Sequence, residues 1–356
     1  MSNTNSSTIN NSWYPDVLVL GPGGMKGFLE LGALIRLVKS GYLNKVNTYV
    51  GCSVGAIIAL LLVAGYTPTE IVSDAADGDI FHDITNIRIS DIRDNTGLIS
   101  NKNIRDKLSE RLRDKFGFVP SLQQLYLATG LVYVAVTLNL DNDRTEYLDK
   151  DSEPHLSAVD AAMLSMNIPF LFYKLKYKGC VYIDGAFGNP YPVDLYDDSK
   201  TNILGIYITT KETINKVTSD SSLFRYLYKV VNSSMTQIKL RIQNSCSQHC
   251  KHISLNSPSL DITGLTFNND IKAQMLIIGY QEADNFLKTE NIVEENSIDT
   301  SQFSSSSDGY TGVLDLLQSD YNDNYDPSLS QLNESDILTP ISQKINNIIN
   351  SFSENT

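Results

Sequence analysis

At 356 residues, 42% hydrophobic and 19% charged, the chain has the composition of a globular protein and the length of one large domain or two ordinary ones. A formal charge of −13 excludes the basic face that binding to nucleic acid phosphates requires. Much of that charge lies in residues 291–356, where eleven acidic residues stand against Lys344 alone.

Residues 1–13, rich in Ser and Asn, read as a flexible start. The branched apolar run "DVLVL" at 16–20 predicts a buried strand that ends in the glycine-rich turn "GPGGMKG", Gly21 to Gly27. A helix follows over 28–40, where Leu31, Leu34, Ile35, Leu37 and Val38 fall at helical spacing and Gly41 ends it. A second strand is expected at 48–52, then a helix at 56–64 that is too apolar for the surface. Strand, turn, helix repeated within so short a stretch predicts a mainly parallel sheet covered by helices, an α/β fold. Further strands are expected at 131–138, 172–177, 180–183 and 203–208, with helices at 103–115, 156–166, 222–243 and 270–288.

Beyond about residue 289 the hydrophobic period disappears into Ser, Asn and Asp, so 290–356 reads as an acidic, largely disordered tail. Within it the spacing of Ile341, Ile345, Ile348, Ile349 and Phe352 predicts a short amphipathic helix at 341–352 with these residues on one face. The four cysteines are too few and scattered for a secreted disulfide framework and point to a reducing compartment, the cytosol by default. No signal peptide is expected, because the N-terminus lacks a basic flank and an apolar run. The longest apolar stretch, 56–64, is about half of what a bilayer crossing needs.

The chemistry is concentrated where "TYVGCSVGAIIALLLVAG" places Ser53 between Gly51 and Gly55, at the junction of a strand and a helix. Gly-x-Ser-x-Gly in that setting is a nucleophile elbow: the tight turn strains the serine and brings backbone so close that only glycine fits on either side. The hydroxyl then stands at a helix N-terminus, where oxyanions are stabilised. Gly23 and Gly24 are suited to aim backbone N–H groups at such an oxyanion. A dinucleotide loop does not fit the glycine spacing, and "LNKVN", about 20 residues on, holds no acid.

The base is the discriminating element. His82 and His155 lie in polar connecting segments, while His249 and His252 flank Cys250 in "CSQHCKH", whose spacing suits no tetrahedral metal site. By contrast, Asp184 in "YIDGAFGNPYPV" ends an apolar strand just before glycine turns, at the sheet's carboxyl edge. Cys52, beside Ser53, is expected to point away from the elbow and pack.

The order of glycine loop (Gly21 to Gly27), Gly-x-Ser-x-Gly (Gly51 to Gly55) and Asp-Gly-Ala (Asp184 to Ala186) resembles the patatin-like phospholipase family, as do "LYLATG" and "AAMLSMNIPFLF". The likeness spans about residues 14–289, read as one domain. It implies a three-layer α/β/α fold and a lipid acyl hydrolase that needs no metal or calcium and no cofactor. Ser53 would be the nucleophile and Asp184 the base. Gly23, Gly24 and Lys26 would form the oxyanion site, with Gly27, Gly51, Gly55 and Gly185 as motif glycines.

Pro22 departs from the family's first loop glycine and has no N–H to donate. Ala186 replaces a commoner glycine, and Lys26 holds a position where a cation could attract an anionic head group. The resemblance further implies a phospholipid or lysophospholipid substrate at a membrane surface, through ester hydrolysis of the phospholipase A or lysophospholipase type. It leaves an activating protein partner open. Two alternatives stand beside it: an esterase triad of Ser53, Asp184 and His249 or His252, and an inactive lipid-binding scaffold on the same fold.

Overall fold

A computed structural model of the chain describes residues 13–77, 97–210, 223–257 and 269–290. His82, most of the N-terminal segment, the acidic tail after Glu290 and the stripe at 341–352 lie outside the described residues.

The first strand, β1 (Val17–Leu20), is buried on both faces, as its unbroken Val and Leu residues require of a central parallel strand. A single 3-10 turn, Gly24–Lys26, leads into α1 (Gly27–Lys39). Next come β2 (Thr48–Cys52), α2 (Val54–Val63) and α3 (Pro68–Asp77). They are followed by β3 (Gly97–Ile99), α4 (Lys102–Phe116), α5 (Leu122–Thr129), β4 (Val132–Asn139) and β5 (Arg144–Leu148). The helix α6 (Ala158–Ser165) precedes β6 (Phe170–Phe172), β7 (Leu175–Tyr177) and β8 (Cys180–Asp184). The described chain closes with β9 (Ile203–Thr210), α7 (Leu223–Ser245), β10 (Cys250–Ser257) and α8 (Asn269–Thr289).

The main sheet runs β10-β9-β1-β2-β4-β8-β7, with β5 on β4. β10, β9, β1, β2 and β4 are mutually parallel, whereas β5 and β8 both run antiparallel to β4. Alternation along the strands divides the core into two layers. Leu18, Leu20, Leu204 and Ile206 face a layer containing α1, α2, α6 and α8. Val17, Val19, Val50, Cys52, Val134 and Val136 face Tyr191, Val193 and the Met235 and Ile242 of α7. The architecture is therefore the expected three-layer α/β/α sandwich with a mainly parallel sheet. It draws strands and helices from residues as late as α8.

Several elements depart from the pattern read in the sequence. One strand was expected at 172–177, but the chain changes partner there: Phe172 pairs with Ile99 of β3 and Leu175 with Tyr182 of β8. The strand β10 opens with adjacent Lys251 and His252 and alternates Ser254 and Asn256 with Ile253 and Leu255, so its polar character hides it in the sequence. The short α5 starts on a full capping box, with Ser121 and Gln124 each bonded to the other's backbone, and ends on Gly130 with φ 73°.

Candidate active site

The parallel register Leu20↔Gly51 sets the ends of β1 and β2 side by side, so the glycine loop and the Ser53 turn leave the same edge of the sheet. Asp184 reaches this point through β4. Strand β5 occupies one edge of β4 over Ala135–Asn139, so β2 (at Val132–Val136) and β8 (at Thr137–Asn139) must share the other edge. Cys52 lies opposite Val136 and Asp184 opposite Thr137, one step further along the same strand. Two segments more than a hundred residues apart thus meet end to end.

Their side chains touch. Ser53 Oγ–H donates to Asp184 Oδ2 at 2.5 Å, and Ala186 N–H donates to the other carboxylate oxygen, Oδ1, at 2.9 Å. Ser53 keeps 4% and Asp184 2% of its surface exposed. Burial pushes the Asp184 carboxyl up from 3.8 to about 6, against the opposing pull of the Ser53 hydroxyl and the Ala186 N–H.

Ser53 has φ 59° and ψ −126°, the left-handed half of the map that a non-glycine residue enters only under constraint. The constraint is steric. A Cβ on Gly51 would lie 2.4 Å from Ala56 Cα, and one on Gly55 2.5 Å from Leu20 O. Of the other motif glycines, Gly27 abuts Val54 and Gly185 starts the turn after β8, where a Cβ would lie 2.1 Å from Val136 O.

Three groups that sequence reasoning did not single out hold this arrangement. Ser165, the last residue of α6, accepts the Ser53 N–H on its Oγ at 3.1 Å. Asn167 O accepts the Asp184 N–H at 2.9 Å, and Asn167 Nδ2 donates to Tyr182 O. Thr137 Oγ1 lies within hydrogen-bond reach of both Leu164 O and Ile183 O, which ties the end of α6 and β8 to β4. The signal available in the sequence was a polar residue set among apolar ones, Thr137 in "VAVTL" and Ser165 and Asn167 in "LSMNI", since polar groups that become buried need partners.

In the glycine loop Gly24 takes φ 55°, and a Cβ on Gly23 would lie 2.4 Å from the Ile208 side chain. Lys26 N–H donates to Gly23 O and Gly27 N–H to Gly24 O, so both point inside the turn. Gly24 N–H and Met25 N–H have no backbone acceptor among the described residues. Burial holds the Lys26 ammonium below its ordinary range.

The histidine alternative is corrected by position. His249 precedes β10 and His252 lies near its start, which pairs with the start of β9, at the far end of the strands from Ser53 and three strands away. His252 Nδ1 is 2.8 Å from Tyr191 Oη, and His249 Nδ1 is 3.1 Å from Asn202 Oδ1. His155 is exposed in a turn. Asp197, Cys246 and Cys250 bring donor atoms within 4.8 Å of one another at the same remote end. There Asp197 accepts the Ser247 N–H and Oγ–H, and Cys246 Sγ donates to Ile242 O, which closes the turn between α7 and β10. Cys52 is fully buried, its thiol pushed well up by burial, and it packs among valines.

Against this geometry, the sequence profile of the patatin-like phospholipases matches residues 18–196, from β1 through the end of the Asp184 region. The chain belongs to the patatin-like phospholipase family. Its sequence is 31% identical over 185 residues to "Probable lipid hydrolase 463L" of Invertebrate iridescent virus 6, covering 51% of this chain and 63% of that one. An uncharacterised protein of Acanthamoeba polyphaga mimivirus is 25% identical over 279 residues, covering 76% of this chain and 92% of the other. The crystal structure of VipD from Legionella pneumophila superposes with a TM-score of 0.51 at 14% identity, over 78% of this chain and 67% of that one, a likeness of fold. No helix among the described residues is long and apolar enough to cross a membrane.

Proposed function

We propose that this patatin-like chain is a lipid acyl hydrolase that cleaves carboxylic ester bonds of phospholipids or lysophospholipids through a Ser53 acyl-enzyme. The observation that carries the reading is the 2.5 Å hydrogen bond from a strained, glycine-flanked Ser53 to the buried Asp184 carboxylate. Similarity to the viral "Probable lipid hydrolase 463L" supports the substrate class.

Asp184 takes the Ser53 proton as Oγ attacks the ester carbonyl, and the protonated Asp184 then returns it to the departing alcohol oxygen. Water, deprotonated by the same carboxylate, then attacks the acyl carbon; the bond from Ser53 Oγ to the acyl carbon breaks, Asp184 returns the proton to Oγ, and the fatty acid leaves. A free aspartate near 3.9 is a weak base for an alcohol, whereas one at about 6 lies close to the working pH and is still mostly ionised there.

The tetrahedral oxyanion is received by N–H groups of the glycine loop, each worth on the order of 3 kcal/mol. Gly23 and Gly24 are the expected donors. Met25 N–H joins them in place of the Lys26 N–H, which is held by Gly23 O. Pro22 cannot join them. Ser165 acts on the nucleophile by holding its N–H, which leaves the hydroxyl aimed at Asp184.

The test is to incubate the full chain with a mixed panel of phospholipids and lysophospholipids and identify released fatty acids by mass spectrometry. A fluorophosphonate should label Ser53. Fatty acid release or labelling that survives Ser53→Ala would overturn the assignment.

A further inference from the structure

The rim beside Asp184 carries two features that ester hydrolysis does not use. Asn167, whose carbonyl holds the Asp184 N–H, is followed three residues later by Phe170, within about 11 Å of extended chain. Phe170 is 71% exposed, the most of any large apolar side chain described. Its φ is 66°, where a bulky residue is an outlier.

The backbone around it is firmly held. Phe170 pairs with Gly97, Phe172 N–H donates to Ile168 O, and Tyr173 N–H donates to Ile99 O, the last two at 3.0 Å. Gly97 permits that approach, since a Cβ there would lie 2.1 Å from Phe172 O. A strained, well-bonded backbone that presents an unpacked aromatic ring contributes little to the core. An outlier of this kind beside an active site points to function.

The second feature is a row of cations. Lys174, Lys176 and Lys178 are exposed and alternate with Leu175 and Tyr177 along β7 and its turn. Leu175 pairs with Tyr182, so Lys174 stands at the Asp184 end of the hairpin. Lys178 is paired with Glu153 at 2.7 Å, while Lys174 and Lys176 have no ion pair among the described residues.

Resting on the reading of the site as a lipid acyl hydrolase, we infer that Phe170, Lys174 and Lys176 form a contact surface for an anionic lipid bilayer. The ring enters the boundary between headgroups and acyl chains while the ammonium groups lie over anionic headgroups. This combination at one rim sets the lipid surface next to the Ser53–Asp184 pair. A single exposed ring flanked by exposed cations suits a lipid interface better than a protein groove, which needs a wider apolar core.

The test is sedimentation of the full chain with vesicles of phosphatidylcholine alone or mixed with phosphatidylserine. Wild type should pellet more strongly with the mixed vesicles. Phe170→Gly should weaken binding to both by about tenfold, and Lys174→Gln and Lys176→Gln should each weaken binding to the mixed vesicles alone by about fivefold. Glycine relieves the positive φ, so the thermal midpoint of Phe170→Gly should hold or rise; a clear fall would assign the ring to packing and overturn the inference.

Variants that sediment like wild type, or a wild type that stays in solution with both vesicles, overturn it as well, the latter leaving a protein partner for the rim. Fatty acid release from detergent-dispersed lysophospholipid is measured in parallel. Hydrolysis without vesicle binding removes the surface and keeps the site reading. Vesicle binding without hydrolysis removes the site reading on which the inference rests.

Discussion

Replacing Asp184 by Asn should make the protein inactive and, above pH 6, more stable. The carboxyl is 2% exposed and its oxygens accept one hydroxyl and one N–H, which recover only part of the hydration lost on folding. The result is a native value of about 6 against 3.8 for the unperturbed group. Because the folded-state value is the higher one, the native state holds the proton more tightly than the unfolded chain. The stability from this group is complete below about pH 4 and is lost as pH rises through 6.

The difference of about 2 pH units corresponds to roughly 3 kcal/mol. An amide of the same shape carries no charge to desolvate and can still accept from Ala186 N–H. In urea unfolding, Asp184→Asn should therefore exceed wild type by up to about 3 kcal/mol at pH 8, with the gain fading between pH 6 and 4. If Asp184 is the general base proposed above, turnover should fall by at least about 100-fold. A stability difference that is the same at pH 4 and pH 8, or a variant less stable at pH 8, would show that the carboxylate is not held against a desolvation penalty.

The same group should set the acid limb of the pH–rate profile, with kcat/KM falling below a midpoint near 6; a midpoint near 4 would assign the base to an exposed carboxylate instead. Gly55→Ala adds a methyl group 2.5 Å from Leu20 O and 2.7 Å from Gly21 O, both rigid backbone. It should cost about 1–3 kcal/mol and lower kcat about 100-fold by displacing the elbow from the glycine loop, which thermal unfolding and steady-state kinetics will check. Ser165→Ala leaves the Ser53 N–H without its 3.1 Å acceptor, so stability should drop by about 1–3 kcal/mol and kcat more than KM; wild-type kcat in this variant would show that Ser165 does not position the nucleophile.

The central strands and the Ser53 turn were legible because local rules and the fold agree there. A run such as Val17–Leu20 has no polar residue to suit an exposed edge, and glycines flanking a serine between strand and helix have few other uses. The capping box at Ser121 and Gln124 is equally local, but α5 is too short for its apolar period to stand out in the sequence. The hairpin at β7 and β8 was harder. Phe172 and Leu175 are both apolar and only three residues apart, and nothing in their types shows that one pairs with Ile99 and the other with Tyr182.

The sequence by itself determined the fold class, the glycine loop, the elbow and the candidacy of Asp184, since each rests on spacing along a few neighbouring residues. Only the tertiary structure decided which partner Ser53 has. That choice depends on β2 and β8 sharing one edge of β4, with Cys52 and Asp184 opposite consecutive residues, and strand register is set by the packing of the whole sheet. The same holds for the Lys26 N–H, the Ser165 hydroxyl and the value of about 6 at Asp184. Hydrogen-bond partners and desolvation come from groups brought together across the chain, and no residue carries them in its own side chain.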